Sequence, residues 1–217
     1  MAKYPIFLEL DGRRVVLIGG GAVATRKAGA LLAAGARLVV VAEQFDEALV
    51  ALCQKGNAQL IKSSYFKNYL VGASLVIAAT NDPAINEQIY EDCQDLEILC
   101  NVVDDPELCD FFVPAVVKRG DLQIAIGTEG HCPAYAGYLR KKLEQIFTEK
   151  HGQFVTELET IRKDIIEDVP DTSDRRALLE QLSDDESFEY FAENGPDMWR
   201  SRAEEIAKKY QTPAREL

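Results

Sequence analysis

Residues 15–43 read VVLIGGGAVATRKAGALLAAGARLVVVAE, and this stretch decides the fold. It opens on an apolar run, Val15 to Ile18, of the kind used by a parallel strand buried on both faces. Glycines at 19, 20 and 21 followed by Ala24 give the spacing G-x-G-x-x-A. Ala24, Ala28, Leu31 and Leu32 share one face of the helix that follows, with Arg26 and Lys27 expected to turn away from it. After Gly35 a second apolar strand, Leu38 to Val41, runs up to Glu43. A βαβ unit carrying this fingerprint binds a dinucleotide. Gly19 allows the tight turn, Gly21 lets the backbone approach a pyrophosphate, and Ala24 lets helix and strand pack closely. The helix start adds unpaired N–H groups and the positive end of a dipole. Glu43 lies 19 residues past Ala24, where a carboxylate accepts from a ribose hydroxyl. Its charge would repel a 2′-phosphate, so NAD is expected rather than NADP.

The 217 residues suffice for one main domain and an appendage. A net charge of −12 argues against a nucleic-acid partner. No apolar run reaches the length of a membrane span, and the stretch MAKYPIFLELDG lacks the pattern of a signal peptide. Five cysteines, at 53, 93, 100, 109 and 132, form no CxxC and are odd in number, which reads as reduced thiols of a cytoplasmic protein. The charge is uneven. Residues 148–217 hold ten basic against eighteen acidic side chains, whereas 114–147 are net basic through Lys118, Arg119, Arg140, Lys141 and Lys142. That basic middle suits an anionic ligand, although Lys141 and Lys142 alone read as a solvated helix face.

Along the chain, Asp46 to Gln54 reads as a short helix, Ala58 to Lys62 as a strand and Ser63 to Leu70 as a loop. Ser74 to Ala79 is a buried strand, ended by Thr80-Asn81-Asp82-Pro83, with Asp82 as cap and Pro83 in the first turn of a helix to about Gln94. Ile98 to Val103 is the next strand. Ligands of open α/β sheets sit beyond the carboxyl ends of the strands, so Gly19–Val23, Glu43, Thr80–Asn81 and Asn101–Asp105 are expected on one rim. From Phe111 the pattern changes to two β-branched runs around Lys118-Arg119-Gly120-Asp121, an antiparallel hairpin. Pro114 suits an edge or exchanged strand. A helix opening at Pro133 follows, and from Gln153 the chain is helical and acidic, broken at Val169-Pro170-Asp171 and Asn194-Gly195-Pro196.

The sequence resembles the precorrin-2 dehydrogenase module of siroheme synthase. The matching stretches are YPIFLELDGRRVVLIGGGAVATRKA near the start, AATND at 78–82, CNVVDDPELCDFFVPA at 100–115, RGDLQIAIGTEG at 119–130 and CPAYAGYLRKKLE after it. They cover about residues 3–147. The resemblance implies an NAD-dependent enzyme converting precorrin-2 to sirohydrochlorin, some members also inserting iron. It implies an α/β fold with a Rossmann-like parallel sheet over 1–113, a hairpin-plus-helix dimerisation element over 114–150 and a helical domain over 151–217. It further implies that the backbone at Ala22-Val23 and the pair Glu43-Gln44 contact NAD, and that catalysis depends on Asp104. The run Thr128-Glu129-Gly130-His131-Cys132-Pro133 departs from the family, which carries a glycine where Glu129 stands and a serine where Cys132 stands.

Precorrin-2 must lose a hydride to a nicotinamide and a proton to a base as its conjugation extends. A carboxylate just past a strand end, beside the nicotinamide, suits the second task. By spacing alone Asp104-Asp105-Pro106 reads as a turn, and it is the resemblance that singles out Asp104, with Asp105 left as the turn residue. The substrate is a polycarboxylate, so Lys118, Arg119 and Arg140 are candidate anchors, with Asn101 and Thr128 beside them. Thr80 and Asn81 join the cofactor candidates by their place on the rim. Tyr138 and Lys142 mimic the Y-x-x-x-K of short-chain dehydrogenases, but on a helix beyond the rim and with the wrong glycine spacing. His131 and Cys132 lack a third partner and read as loop residues, so no metal site is expected, although they leave an iron-inserting alternative open. His151 reads as an exposed residue just past a helix, and Trp199, Phe188, Tyr190 and Phe191 as packing of the helical tail. A non-catalytic NAD(H) sensor is the remaining alternative.

Overall fold

A computed structural model describes residues 3–210, so the last seven residues of the expected helical domain lie outside the described residues. The chain divides into two compact units, Met1–Val113 and Pro114–Leu217.

The first unit is built on five parallel strands, β1 (Arg14–Ile18), β2 (Arg37–Ala42), β3 (Gln59–Lys62), β4 (Leu75–Ala78) and β5 (Leu99–Val102), in the order β3-β2-β1-β4-β5. Successive residues of a strand point to opposite faces, and both faces are covered. Val15, Leu17, Leu38, Val40, Leu75 and Ile77 pack under α1 (Ala22–Ala33) and α2 (Glu47–Lys55). Val16, Ile18, Val39, Val41, Val76 and Ala78 pack under α3 (Pro83–Asp95) through Ile89 and Cys93. Burial on both sides is why these strands read as continuous apolar runs rather than alternating ones. The chain leaves β1 for β2 on one side and enters β4 on the other, so the strand order reverses between β1 and β4. Ligand sites of such sheets open beside that reversal.

One local reading in this unit needs correction. The segment 63–70 is not all loop: Lys67–Leu70 forms one turn of 3-10 helix, and Leu70 is fully buried under the sheet. Its anchor is the buried carboxylate of Asp92 on α3, which accepts from Tyr65 Oη at 2.7 Å and pairs with Lys67 Nζ at 3.1 Å. Burial opposes ionisation of Asp92, but these partners outweigh it and hold the carboxyl below its ordinary value. The helix starting at Asp82 is as expected, with the aspartate side chain accepting from the N–H groups of Ala84 and Ile85.

The second unit opens with the antiparallel hairpin β6 (Ala115–Arg119) and β7 (Leu122–Ile126). Lys118 and Arg119 belong to the strand, and the turn is Gly120-Asp121, with Gly120 at φ +54° as a two-residue loop with glycine first requires. Helices α4 (Pro133–Ile146), α5 (Glu149–Asp168), α6 (Thr172–Leu182), α7 (Asp185–Asn194) and α8 (Pro196–Ala207) follow. The break at Ser183-Asp184 carried no proline or glycine to announce it, yet the Asp184 side chain caps α7 by accepting from Ser187 N at 2.8 Å. Trp199, Phe154, Phe191, Leu178 and Ile165 fill the helical core, and Trp199 Nε1 donates to the buried Ser187 hydroxyl at 2.8 Å. His151 is not past a helix but in the first turn of α5, half-buried and stacked on Phe188 with ring centroids 4.0 Å apart. The expected division at 150 falls inside α5, and Gly152 on that helix lies so close to the Arg119 backbone that a β-carbon there would collide with the Arg119 carbonyl.

Candidate active site

Three glycines in succession place the rim of the first unit, and each does a different job. Gly19 has φ +129°, and a β-carbon on it would collide with the Ala79 carbonyl at the end of β4. Gly20 is wedged on the other side: a β-carbon would strike the Gln44 carbonyl and stand 3.0 Å from Ala42 Cβ. Backbone bonds fasten both contacts, Gly19 N to Val41 O at 2.9 Å, Ala79 N to Ile18 O at 2.7 Å and Asp46 N to Gly20 O at 2.8 Å. A β-carbon at Gly21 would meet nothing within 4 Å. The sequence reading credited Gly19 and Gly21 and passed over Gly20, whose contact depends on a loop more than twenty residues away.

Gly21 is also the N-cap of α1, and that helix start has neither a side-chain cap nor an acid in its first turn. By contrast α3, α6 and α7 each have an aspartate at the N-cap that accepts from their own first turn. The exposed Ala22 and half-buried Val23 therefore present backbone donors beside open space, the arrangement that receives phosphate oxygens. A dinucleotide fits this cradle. Glu43 and Gln44 are exposed just past β2, brought next to the glycine turn by the packing of Gly20 on Gln44.

Past β4, Thr80 is held rather than free. Its hydroxyl lies 2.7 Å from Asn86 Oδ1 and accepts from Asp82 N at 3.2 Å, while Asn86 Nδ2 donates to the Thr80 carbonyl at 3.2 Å. Asn86 is buried on α3 and shares a face with Ile89 and Cys93, a placement its spacing in the helix would have revealed. Asn81 is exposed on the rim.

Past β5 the two adjacent aspartates part company. Asp105 is half-buried and accepts from Glu107 N at 3.2 Å, capping the 3-10 turn Pro106–Leu108. Asp104 is exposed and adopts φ +65°, a left-handed conformation uncommon outside glycine, though asparagine and aspartate tolerate it best. Strain of this kind persists where the surroundings over-determine the backbone. They do so here. Cys109 Sγ lies 3.1 Å from both the Val102 and Asp105 carbonyls, burial pushing its thiol up so that it stays a donor. The chain then returns along β5, with a bridge between Asn101 and Cys109, Asp110 N to Cys100 O at 2.9 Å and Cys100 N to the Asp110 carboxylate at 2.8 Å.

Asn101 is corrected by this arrangement. Expected to touch substrate, it is buried, and its amide donates to the Phe111 carbonyl at 2.9 Å and to Cys109 Sγ at 3.2 Å. Lys27 is corrected in the opposite sense. Arg26 is exposed, but Lys27 is half-buried on the face of α1 shared by Ala24 and Ala28. Burial lowers its pKa, Arg26 adds to that, and Cys109 and Asp104 oppose it.

In the second unit, Arg119 is engaged by its own fold: Nε donates to Phe147 O at 2.9 Å, Nη2 to Glu144 O at 3.1 Å and Nη1 to Lys118 O at 2.9 Å, with Glu149 as ion-pair partner. Arg140 pairs with Glu144 one turn along α4. Thr128 Oγ1 accepts from Cys132 N at 3.3 Å, closing the turn before α4, and Lys118 is exposed. Glu129, where the family resemblance expects glycine, has φ +51°. Tyr138 and Lys142 meet as a cation over a ring, 5.1 Å from its centroid. His131 and Cys132 are exposed, and among the described residues no group of three or more His, Cys, Asp or Glu side chains is placed to hold a metal. No helix among them is long and apolar enough to cross a membrane.

A reversal in strand order, a glycine turn and an uncapped helix define a dinucleotide-binding α/β unit. Residues 6–115 match the family model described as "Putative NAD(P)-binding", so the chain belongs to that NAD(P)-binding family. Among curated proteins it is 37% identical over 182 residues to "Siroheme synthase" of Psychrobacter cryohalolentis, covering 84% of this chain and 35% of that protein. It is 40% identical over 182 residues to "Siroheme synthase" of Pseudomonas putida strain W619, covering 84% and 39%. The chain thus spans little more than a third of the length of these relatives. The solved structure titled "SirC, precorrin-2 dehydrogenase" superposes with a TM-score of 0.78 at 25% identity, covering 96% of this chain and 100% of that one. The resemblance drawn from the motifs, and the α/β fold with a parallel sheet followed by helices, are borne out.

The two inner glycine contacts generate a stability prediction. Gly20→Ala forces the Gln44 carbonyl to move, and should lower the unfolding free energy by about 1–3 kcal/mol, as overpacking does. Gly21→Ala meets no clash and should cost less, about 0.5–1 kcal/mol, because alanine is a poorer N-cap than glycine. Urea unfolding of both variants checks this, and equal losses would contradict the wedge at Gly20.

Proposed function

We propose that this chain is an NAD-dependent dehydrogenase acting on precorrin-2 to give sirohydrochlorin. One observation carries the reading: an exposed carboxylate, Asp104, is held in a left-handed backbone conformation on the same rim as an open, uncapped glycine turn. The names of the relatives, "Siroheme synthase" and "SirC, precorrin-2 dehydrogenase", supply the substrate. NAD, when bound, supplies the hydride acceptor. Gly19 and Gly21 admit it, the N–H groups around Ala22 and Val23 meet its phosphates, Glu43 and Gln44 meet the adenosine ribose, and Thr80 and Asn81 border the nicotinamide end. Asp104 takes the proton that leaves the macrocycle as the hydride departs, so two electrons and two hydrogens are accounted for. Asp105 stays a cap.

Asp104→Asn is the apt substitution, because asparagine tolerates φ +65° while removing the base. It should lower kcat by about 10²-fold or more, the usual worth of a general base, with NAD affinity kept. Asp105→Ala should cost about 1 kcal/mol of local stability and only a few-fold in rate. Anaerobic assay of both variants with precorrin-2 decides, and equal losses of rate would reduce Asp104 to a turn residue.

Glu43 should make NAD the preferred cofactor. A 2′-phosphate about 4 Å from its carboxylate costs roughly 1–4 kcal/mol, which is about tenfold or more in kcat/KM. Comparable efficiency with NADP would take Glu43 out of the cofactor site.

The chain should also work as a homodimer through its second unit. Val116, Tyr135, Tyr138 and Ile146 are exposed by 37%, 53%, 49% and 60% on the hairpin and α4, and a two-stranded hairpin is marginal without a covering partner. Light scattering at micromolar concentration should give twice the mass of the 24.1 kDa chain, and a monomer would remove the dimer from this reading.

A further inference from the structure

The substrate of the proposed reaction is a polycarboxylate, and this chain carries a net charge of −12. Bringing the two together needs a cation close to the reacting position. The arginines that sequence reasoning offered are both engaged within their own unit, Arg119 by three carbonyls and a carboxylate and Arg140 by Glu144. Lys27 stands in a different situation. It is the sixth residue of α1, three beyond Ala24 and four before Leu31, so it lies on the helix face that packs inward. Val103 and Phe111, which flank the Asp104 loop, pack against the same cluster as Ala24 and Ala28. The lysine stem therefore lies along apolar surface beside that loop, half-buried, and its ammonium is partly withdrawn from water.

Resting on the function proposed above, we propose that Lys27 anchors a carboxylate of the tetrapyrrole next to Asp104, and so sets which edge of the macrocycle faces the base. The charged groups acting on its ammonium are Arg26 from its own helix and Asp104 from the loop beyond β5, with the Cys109 thiol close by. No carboxylate of the described residues forms a salt bridge with it. A half-desolvated cation without an ion-pair partner is unfavourable, and an arriving carboxylate relieves it. The loss of water around Lys27 has already lowered its pKa, and that cost is recovered when an anion binds.

The test uses the full chain as wild type, Lys27→Met and Lys27→Arg. Uroporphyrin, an octacarboxylate that cannot react, serves as the binding probe, followed by its own fluorescence. NAD affinity is measured by calorimetry and precorrin-2 turnover anaerobically. Lys27→Met should weaken uroporphyrin binding and raise the KM for precorrin-2 by about tenfold or more, the worth of one charge-assisted hydrogen bond, with kcat changed less than KM. Lys27→Arg should stay within about threefold of wild type because the charge is kept. NAD affinity and the thermal midpoint should be unchanged in both. Uroporphyrin binding that is absent in wild type, or equal in wild type and Lys27→Met, overturns the proposal. So does a loss of NAD affinity in Lys27→Met, which would assign the ammonium to the cofactor phosphates. Failure of the wild type to oxidise precorrin-2 would reject the proposed reaction, while the uroporphyrin titration still judges Lys27.

Discussion

The whole rim depends on backbone passing backbone with no side chain between them. Gly19 lies against the carbonyl that ends β4, and Gly20 against the carbonyl of Gln44 beyond β2. The turn out of β1 is thus clamped from both sides, and each clamp fixes the start of a neighbouring loop. Any side chain at either glycine pushes those loops outward and moves Glu43 or Thr80 with them. Only at Gly21 does the chain emerge into open space, and there the helix begins without a cap of its own. Tight packing on two residues and emptiness at the third are what convert a glycine-rich turn into a receptacle for an anion.

The loop after β5 applies the same logic to a single side chain. A left-handed aspartate costs of order 1 kcal/mol or more, and such a conformation relaxes unless its neighbours are held. Asp105, Cys109, Asp110 and Asn101 all point their polar atoms into the loop or back onto β5, whereas the Asp104 carboxylate is left exposed without such a bond. Val103 and Phe111 pack inward, and the polar members divide between those that shape the loop and those, Asp104 among them, that it presents.

Much of this was legible in the sequence because the signals were local. Strands buried on both faces read as continuous apolar runs, Asp82-Pro83 announced a capped helix, and the glycine spacing opened the first βαβ unit. What escaped depended on contacts distant along the chain. Nothing near Gly20 foretells the Gln44 carbonyl, and nothing near Asn101 foretells Phe111. Arg119 looked like a substrate anchor because it is basic and follows a strand, whereas its fork fits the carbonyls at the end of α4. Lys27 and Asn86 were within reach of the helical period, each three residues from a buried neighbour on its own helix, Ala24 and Ile89. Their polarity hid them, since a period read only through apolar residues assigns polar ones outward. Family resemblance told Asp104 from Asp105, and the backbone angle now gives a physical reason for the difference.

The return of the chain along β5 has a consequence of another kind. β5 is a terminal strand of the sheet, and a terminal strand with open N–H and C=O groups is a template on which another molecule's strand can grow. Cys100 gives both its backbone N–H and its carbonyl to Asp110, and Asn101 is bridged to Cys109. The outer edge is therefore occupied by the protein's own chain before any foreign strand can reach it. At the opposite edge β3 is four residues long, with Gln59 and Lys62 at its ends, too short and too polar to recruit a partner. The loop that holds the exposed Asp104 in its left-handed conformation also keeps the sheet from polymerising, so mutations that loosen it endanger solubility as well as the geometry of the rim.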